Sequence, residues 1–430
     1  MKNREKRDLE NEISFLGKLF LGLKSFKARL GGLHPIKRTV EKQKMLAGAS
    51  EADATVENKV SFVFLMSRVV AILLLVLIIV LSLIFGGRII SYENVYYMFK
   101  DIEYISSFSE NAPTTLSYSK PLTNQDFASF KNGLAIVGDS EFKFFTSSGR
   151  ATMSVGGEYS NPKITTSKSY ALVYDQGNRS FSVYNSFVCL YKETLESPIS
   201  SAHMSEDGSF CIVTTSKGFG SKVRVYDNGF SLEAEYTKND YVISAQMSQK
   251  GKYVAVASLS AENGVGKVTL DLMQRGKEDL KFSQTVTDAI PYSVAFLTKD
   301  RVALICDGGT YVFDLSGNRK TEYKFSDALT HMATGEKRIA LVFGKNTVVL
   351  DENGMVIRSF TADCEIFDVK VYGDYVYLLC DREVRRYNTK SVVTEYDSVA
   401  FTEEDAGLVL LDDGKLLACT ATVAYYISFN

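Results

Sequence analysis

Six cysteines, three histidines and a few acidic turn pairs are the residues of this 430-residue chain best equipped for chemistry. Their spacing limits what they can do. Cys189, Cys211, Cys306, Cys364, Cys380 and Cys419 contain no C-x-x-C pair and keep no metal-like distance from a histidine, so neither a zinc site nor a redox centre is expected. Cys306, Cys380 and Cys419 fall at nearly equivalent places in short apolar runs, where a thiol serves as a compact hydrophobe. Buried free thiols are therefore expected, with a disulfide as the alternative that an even count allows. His203 and His331 lie in separate parts of the chain and suit core or turn roles. The pairs Asp351–Glu352 in "LDENG" and Asp412–Asp413 in "LDDG" do not continue into a D-x-D-x-D-G loop and read as turn residues. "GVGKV", 264–268, lacks phosphate-loop spacing and reads as a hairpin turn, and there is no G-x-S-x-G elbow. No catalytic, cofactor-binding or metal-binding residue is assigned, and no cofactor is expected.

What remains is surface. Phe219 sits between lysines in "SKGFGSK", and "DREVRR" offers Arg382, Arg385 and Arg386. Aromatic and arginine side chains in turns are good interface anchors, so these four are the candidate partner-binding residues. A second surface lies in the first thirty residues. At helical spacing Leu16, Leu19, Phe20, Leu23, Phe26 and Leu30 form one apolar stripe opposite Lys18 and Arg29, a pattern suited to an anionic membrane surface.

The elements that carry these residues divide the chain. Val69 to Gly87 holds no charge and is almost entirely Leu, Ile and Val, long enough for about 28 Å of helix. A transmembrane segment is expected, uncleaved because the stretch begins far from the N-terminus. Two Lys/Arg on either side leave its immediate flanks tied; over matched 68-residue flanks 14 Lys/Arg lie before the stretch and 6 after it, and the richer side is expected in the cytoplasm. Residues 69–430 carry 35 Lys/Arg against 43 Asp/Glu. That acidic balance argues against nucleic acid as a partner. The expected organisation is a basic tail with an amphipathic helix at about 10–30, a span at 69–87, a juxtamembrane helix and linker at 88–112, and one large domain at 113–430.

That domain is built from repeats. "HMSEDGSFCIVTTSKGFGSKVRVYDNG", "AFLTKDRVALICDGGTYVFDLSGN" and "MATGEKRIALVFGKNTVVLDENG" share one grammar: strand, polar turn, small apolar strand, second turn, then an alternating strand closed by Asp or Asn. Eight copies align at Leu134, Tyr170, Phe210, Tyr253, Val302, Ile339, Val376 and Leu416, a period near 40. Period-two alternation excludes helical repeats, and the period fits the blade of a β-propeller. The chain resembles WD40-like and quinoprotein-like propellers over about residues 114–430, without the Trp-Asp signature, since it has no Trp. With its basic tail and single span it resembles a family of membrane-anchored propellers of Gram-positive bacteria whose role is itself unassigned. The last copy stops at its third strand, so "PTTLSYSK", 113–120, is expected to supply the fourth and close the ring. Eight blades are expected, seven being the alternative. The reading that follows is an all-β ectodomain outside the cell membrane. It would bind envelope proteins or wall polymer, with membrane lipid as the other partner; a quinoprotein or lyase type of enzyme and a ligand sensor are the rivals.

Overall fold

Short runs such as "RVALIC" and "RIALVF" are rich in β-branched and aliphatic residues and end at Gly, Asp or Lys turns, which favours strands of five or six residues over helices. The computed structural model describes residues 66–76, 115–117 and 126–429, apart from 147–148, 217, 219, 278, 392, 394, 403–406 and 412–413. The chain divides into two units, Met1–Ile90 and Ser91–Asn430.

In the first unit residues 66–76 form a helix whose side chains are exposed. The rest of the expected span, the apolar stripe from Leu16 to Leu30 and the juxtamembrane segment lie outside the described residues. Among the described residues no helix is long and apolar enough to cross a membrane.

The second unit carries strands β1–β32, arranged as eight four-stranded antiparallel sheets. Blade 1 is β2–β5 (126–156), blade 2 β6–β9 (162–194), blade 3 β10–β13 (199–238) and blade 4 β14–β17 (241–287). Blade 5 is β18–β21 (291–324), blade 6 β22–β25 (331–361), blade 7 β26–β29 (368–400), and blade 8 takes β30–β32 (407–427) together with β1 (Thr115–Ser117). The eight-bladed expectation holds. Every repeat anchor falls on the second strand of a blade or one residue before it, and the weak first copy forms a complete blade.

The last blade is completed from the other end of the chain. Thr115, Leu116 and Ser117 pair with Tyr425, Ala424 and Val423 of β32 (Val423–Ile427), so the segment expected to close the ring does so. Without it β32 would offer a free edge.

Neighbouring blades share cores because strand side chains alternate in direction. In β19 (Arg301–Cys306) Val302, Leu304 and Cys306 pack with Leu270 and Leu272 of blade 4, while Ala303 and Ile305 pack with Ile339 and Leu341 of blade 6. All five β19 residues are fully buried. A strand with apolar residues on both faces is thus required at this position, and each fully buried aliphatic side chain contributes about 1.5–3 kcal/mol.

Where an Asp closes the repeat, in blades 3, 5 and 6, it has a local task. Asp227 Oδ1 accepts the Gly229 and Ser231 amides, Asp314 Oδ1 those of Ser316 and Asn318, and Asp351 Oδ1 those of Asn353 and Met355. These side-chain turns start the hairpin to the outer strand. Asp351 is therefore a turn residue, as its sequence context suggests; Asp412 and Asp413 lie outside the described residues.

Removing β1 tests ring closure. A chain beginning at residue 121 should lose on the order of 2–3 kcal/mol in urea denaturation, from two or three backbone hydrogen bonds at about 1 kcal/mol each. It should also self-associate through the bared β32. Unchanged stability and a monomeric elution profile would contradict this closure.

Candidate functional site

Each blade has an inner strand whose outer neighbour is paired but whose channel side is not, so its remaining amides need acceptors. Side chains of the preceding blade supply them. Asp126 Oδ2 accepts the Ile164 amide at 2.9 Å, and Thr165 Oγ1 accepts that of Met204 at 3.2 Å. His203 Nδ1 then accepts Met247 N–H at 3.2 Å, Ser244 Oγ that of Val294 at 3.2 Å, and Gln246 Oε1 that of Phe296 at 2.9 Å. Asp368 Oδ2 accepts Leu408 N–H at 2.9 Å, linking blade 7 to blade 8.

At one end of the channel these strands border a cavity of about 290 Å³. His203, Gln246, Phe296 and Thr298 line it, with Glu206 and Glu336 on the turns that follow. Burial pushes the His203 imidazole down to about 4 from its ordinary 6.5. A neutral ring is what its contact requires, since Nδ1 must keep a lone pair for the Met247 amide. His203, expected in a core or a turn, instead stands on an inner strand at the cavity, where it caps an amide of the next blade.

The opposite end of the ring, where each outer strand leads into the next inner strand, holds a different surface on blades 4 and 5. β15 (Tyr253–Glu262) and β16 (Val265–Gln274) are ten residues each, and among the described residues no other strand exceeds eight. Asn263 and Gly264, with φ of 54° and 80°, make the two-residue turn between them, for which Asn-Gly is the favoured pair. The turn expected at "GVGKV" is thus the tip of the longest hairpin. Close to this tip the Asp288 amide donates to the Gly266 carbonyl at 2.8 Å.

Around this hairpin Tyr241, Val265, Ile290 and Tyr292 are exposed, each by 43–51%. Tyr241 opens β14 (Tyr241–Met247) and Tyr292 is the second residue of β18 (Pro291–Thr298), so both stand at one end of neighbouring inner strands. Ile290 is fixed by Asp307, whose Oδ1 accepts its amide at 2.9 Å. Asp240, Glu262, Asp288 and Asp307 frame the patch. The adjacent cations are already engaged: Lys267 pairs with Glu262 at 3.0 Å and Lys238 with Asp271. The patch is apolar and aromatic within an acidic frame. Sequence reading missed it, although "AENGVG" signals a tight hairpin.

The residues chosen from sequence fare differently. Phe219 lies outside the described residues, and Arg382 is exposed on the turn from β27 (Tyr375–Leu379) to β28 (Glu383–Asn388). Arg385 and Arg386 correct the expectation, because both belong to β28 and point to opposite faces of blade 7. Arg385 is buried, pairs with Asp363 and with Glu383 at 2.5 Å, and lies over the Tyr396 ring. Arg386 pairs with Asp397 at 2.6 Å and lies over Tyr375 and Phe429. Their charges join neighbouring strands and loops of the ring.

Two cysteines also depart from expectation. Cys364, in the loop between blades 6 and 7, is disulfide-bonded to Cys380 at the end of β27. Cys211, Cys306 and Cys419 are buried free thiols, and Cys189 is exposed. The loop geometry that brings Cys364 beside Cys380 cannot be read from an apolar run that is otherwise like its neighbours.

An eight-fold ring of four-stranded blades with a strand donated from the N-terminal side defines an eight-bladed β-propeller. More narrowly, the chain belongs to the DUF5711 family, a family of unknown function, which matches residues 109–401. No curated protein sequence matches it. Among solved structures it is similar to BamB from Moraxella catarrhalis (TM-score 0.53, 10% identity, 74% of this chain and 99% of that one). Sqt1 from Saccharomyces cerevisiae is similar at TM-score 0.57 and 11% identity over 75% and 100% of the two chains. The computationally designed protein Ika8 is similar at 0.57 and 14%, over 73% and 98%. At such identities the likeness is one of fold.

Two stability measurements bear on these contacts. The unfolded chain takes up a proton at His203 near pH 6.5 and the folded chain only near 4. The stability carried by the neutral ring is therefore complete above pH 6.5 and is lost as pH falls towards 4, by no more than about 3 kcal/mol. Urea unfolding at pH 7.5 and 4.5 should show that loss, and His203→Gln should remove its share. Reducing the Cys364–Cys380 bridge, which closes a separation of 16 residues, should cost about 3 kcal/mol in the same assay. Cys364→Ser should make the protein indifferent to reductant; equal sensitivity in variant and parent would contradict the bond.

Proposed function

We propose that this protein is a membrane-anchored binding scaffold of Gram-positive type, its basic tail in the cytoplasm, the 69–87 segment in the bilayer and its propeller outside. The propeller takes an envelope protein on the exposed Tyr241, Val265, Ile290 and Tyr292 surface, and no catalysis is assigned to it. That surface is the observation that carries the reading. Two tyrosines and two aliphatic residues on rigid strand ends give large contact area at little entropic cost, and an acidic frame selects a partner with basic residues beside an apolar segment. A protein partner suits this patch better than a wall polymer, since fixed apolar anchors have more to bury against a protein.

Location outside the membrane draws support from two independent features. The charge-free stretch from Val69 to Gly87 has the length of a span, and the Lys/Arg excess before it favours a cytoplasmic N-terminus. The Cys364–Cys380 bond suits an oxidising compartment.

Protease added to intact spheroplasts should remove the propeller and spare residues 1–68; a protected propeller overturns the topology. A photo-crosslinking residue in place of Tyr292 should capture one envelope protein in the cell, and Tyr241→Ala should reduce that capture about tenfold, the effect of losing an anchor worth about 1–2 kcal/mol. Equal capture from position Leu232, at the other end of the ring, would overturn the assignment of this surface.

A further inference from the structure

Two of the side chains that cap the inner strands are only half used by that task. The Met247 and Phe296 amides can only donate, so His203 Nδ1 and Gln246 Oε1 must both act as acceptors. The neutral His203 ring then carries its proton on Nε2, and the Gln246 side chain keeps both N–H groups of its own Nε2. Neither nitrogen has a protein partner among the described residues. Both side chains line the cavity of about 290 Å³, at the channel end opposite the tyrosine patch.

The rest of the wall, drawn from blades 2 to 6, narrows what could accept from these donors. No lysine or arginine lines the cavity. Glu206 is engaged, by Lys168 at 2.7 Å and by Gln249 Nε2 at 2.8 Å. Glu336, on the turn after β22 (His331–Gly335), has no hydrogen-bond or ion-pair partner among the described residues. An anionic ligand would therefore meet an open carboxylate and no cation, while a compact ammonium would satisfy Glu336 but offer nothing to His203 Nε2–H and the Gln246 amide. Phe296, with Met204, Met247 and Leu297, adds apolar wall. These features together call for a neutral ring that accepts hydrogen bonds on one edge, donates on another and has an apolar face. The hydroxyls of a sugar ring both accept and donate, and its C–H bonds suit the negative face of an aromatic side chain. The volume lies at the lower limit of ligand pockets, about 300 Å³, which suits one ring and not a chain of several.

We propose that this end of the channel is a saccharide subsite. One neutral sugar ring occupies the cavity, accepts hydrogen bonds from His203 Nε2–H and the Gln246 amide, donates one to Glu336 and lies against Phe296. The site stands apart from the tyrosine patch and from the membrane-anchored reading, because every residue that lines it belongs to the propeller.

The full chain in a sugar-free detergent is to be titrated with N-acetylglucosamine and methyl glucoside, with adenosine and ethanolamine as rival probes, and binding read by saturation-transfer NMR. At least one of the sugars should bind with Kd of about 1 mM. The chain has three histidines, so ¹⁵N-histidine labelling gives few signals. The Nε2 signal of His203, identified by its loss in His203→Gln, should shift when the sugar is added while that of His331 stays in place. Glu336→Gln, on an exposed turn, replaces a charge-assisted hydrogen bond by a neutral one and should weaken sugar binding about tenfold. Tyr241→Ala, at the far end, should leave it unchanged. Absence of binding by both sugars overturns the proposal, as does sugar binding that leaves the His203 signal in place or survives Glu336→Gln undiminished. Binding by adenosine or ethanolamine alone overturns the assignment to sugar.

Discussion

The inner edge of every blade must give its spare backbone amides an acceptor, and that constraint organises the ring. In a water-filled channel some of these groups could be solvated, but along much of this one the preceding blade reaches across and caps them. Asp126, Thr165, His203, Ser244, Gln246 and Asp368 each accept an amide from the blade that follows. The consequence is geometric. A blade that shifted against its neighbour would uncover a backbone donor as well as apolar surface, so the rotation from blade to blade is fixed at the centre and the outer faces inherit that precision. The tyrosine patch needs it, since Tyr241 and Tyr292 stand on different inner strands.

Much of this architecture was legible in the sequence because it is written locally and eight times over. Strand period, turn residues and a spacing near 40 identify a blade without any long-range information, and an incomplete last copy points to a donated strand. The turn role of Asp351 follows the same way. What was not legible depends on which blade lies next to which residue. Arg385 and Arg386 look like exposed turn residues in "DREVRR", but a strand that begins at Glu383 turns one towards Asp363 and the other towards Phe429. Cys380 looks like the buried thiols of the neighbouring repeats until the loop between blades 6 and 7 places Cys364 against it. The long hairpin was visible only as an Asn-Gly turn, and its significance comes from two tyrosines that lie 51 residues apart in sequence and at neighbouring strand ends in the fold.

The two ends of the ring divide the surface chemistry between them. One combines aromatic and aliphatic side chains with carboxylates and has a rigid hairpin beside it; the other combines apolar outer-strand residues with turns in which lysines and carboxylates alternate, such as Lys299–Asp300 and Glu336–Lys337. Such polarity is available to a propeller because its turns are free to vary while the blade cores are not: Leu304 and Ile305 are dictated by their neighbours, whereas Lys299 and Ile290 answer only to what the surface meets.

The three-residue strand β1 gives the ring a mechanical character as well as closure. Any load carried by the chain ahead of residue 115 enters the propeller through the pairing of Thr115, Leu116 and Ser117 with β32. Tension applied along the axis of β1 would stress its hydrogen bonds together in shear, instead of peeling them one after another. The shortest strand among those described is thus also the latch on which a pull would act, and a force large enough to slip it would release blade 8 first while the remaining seven sheets kept their own four strands.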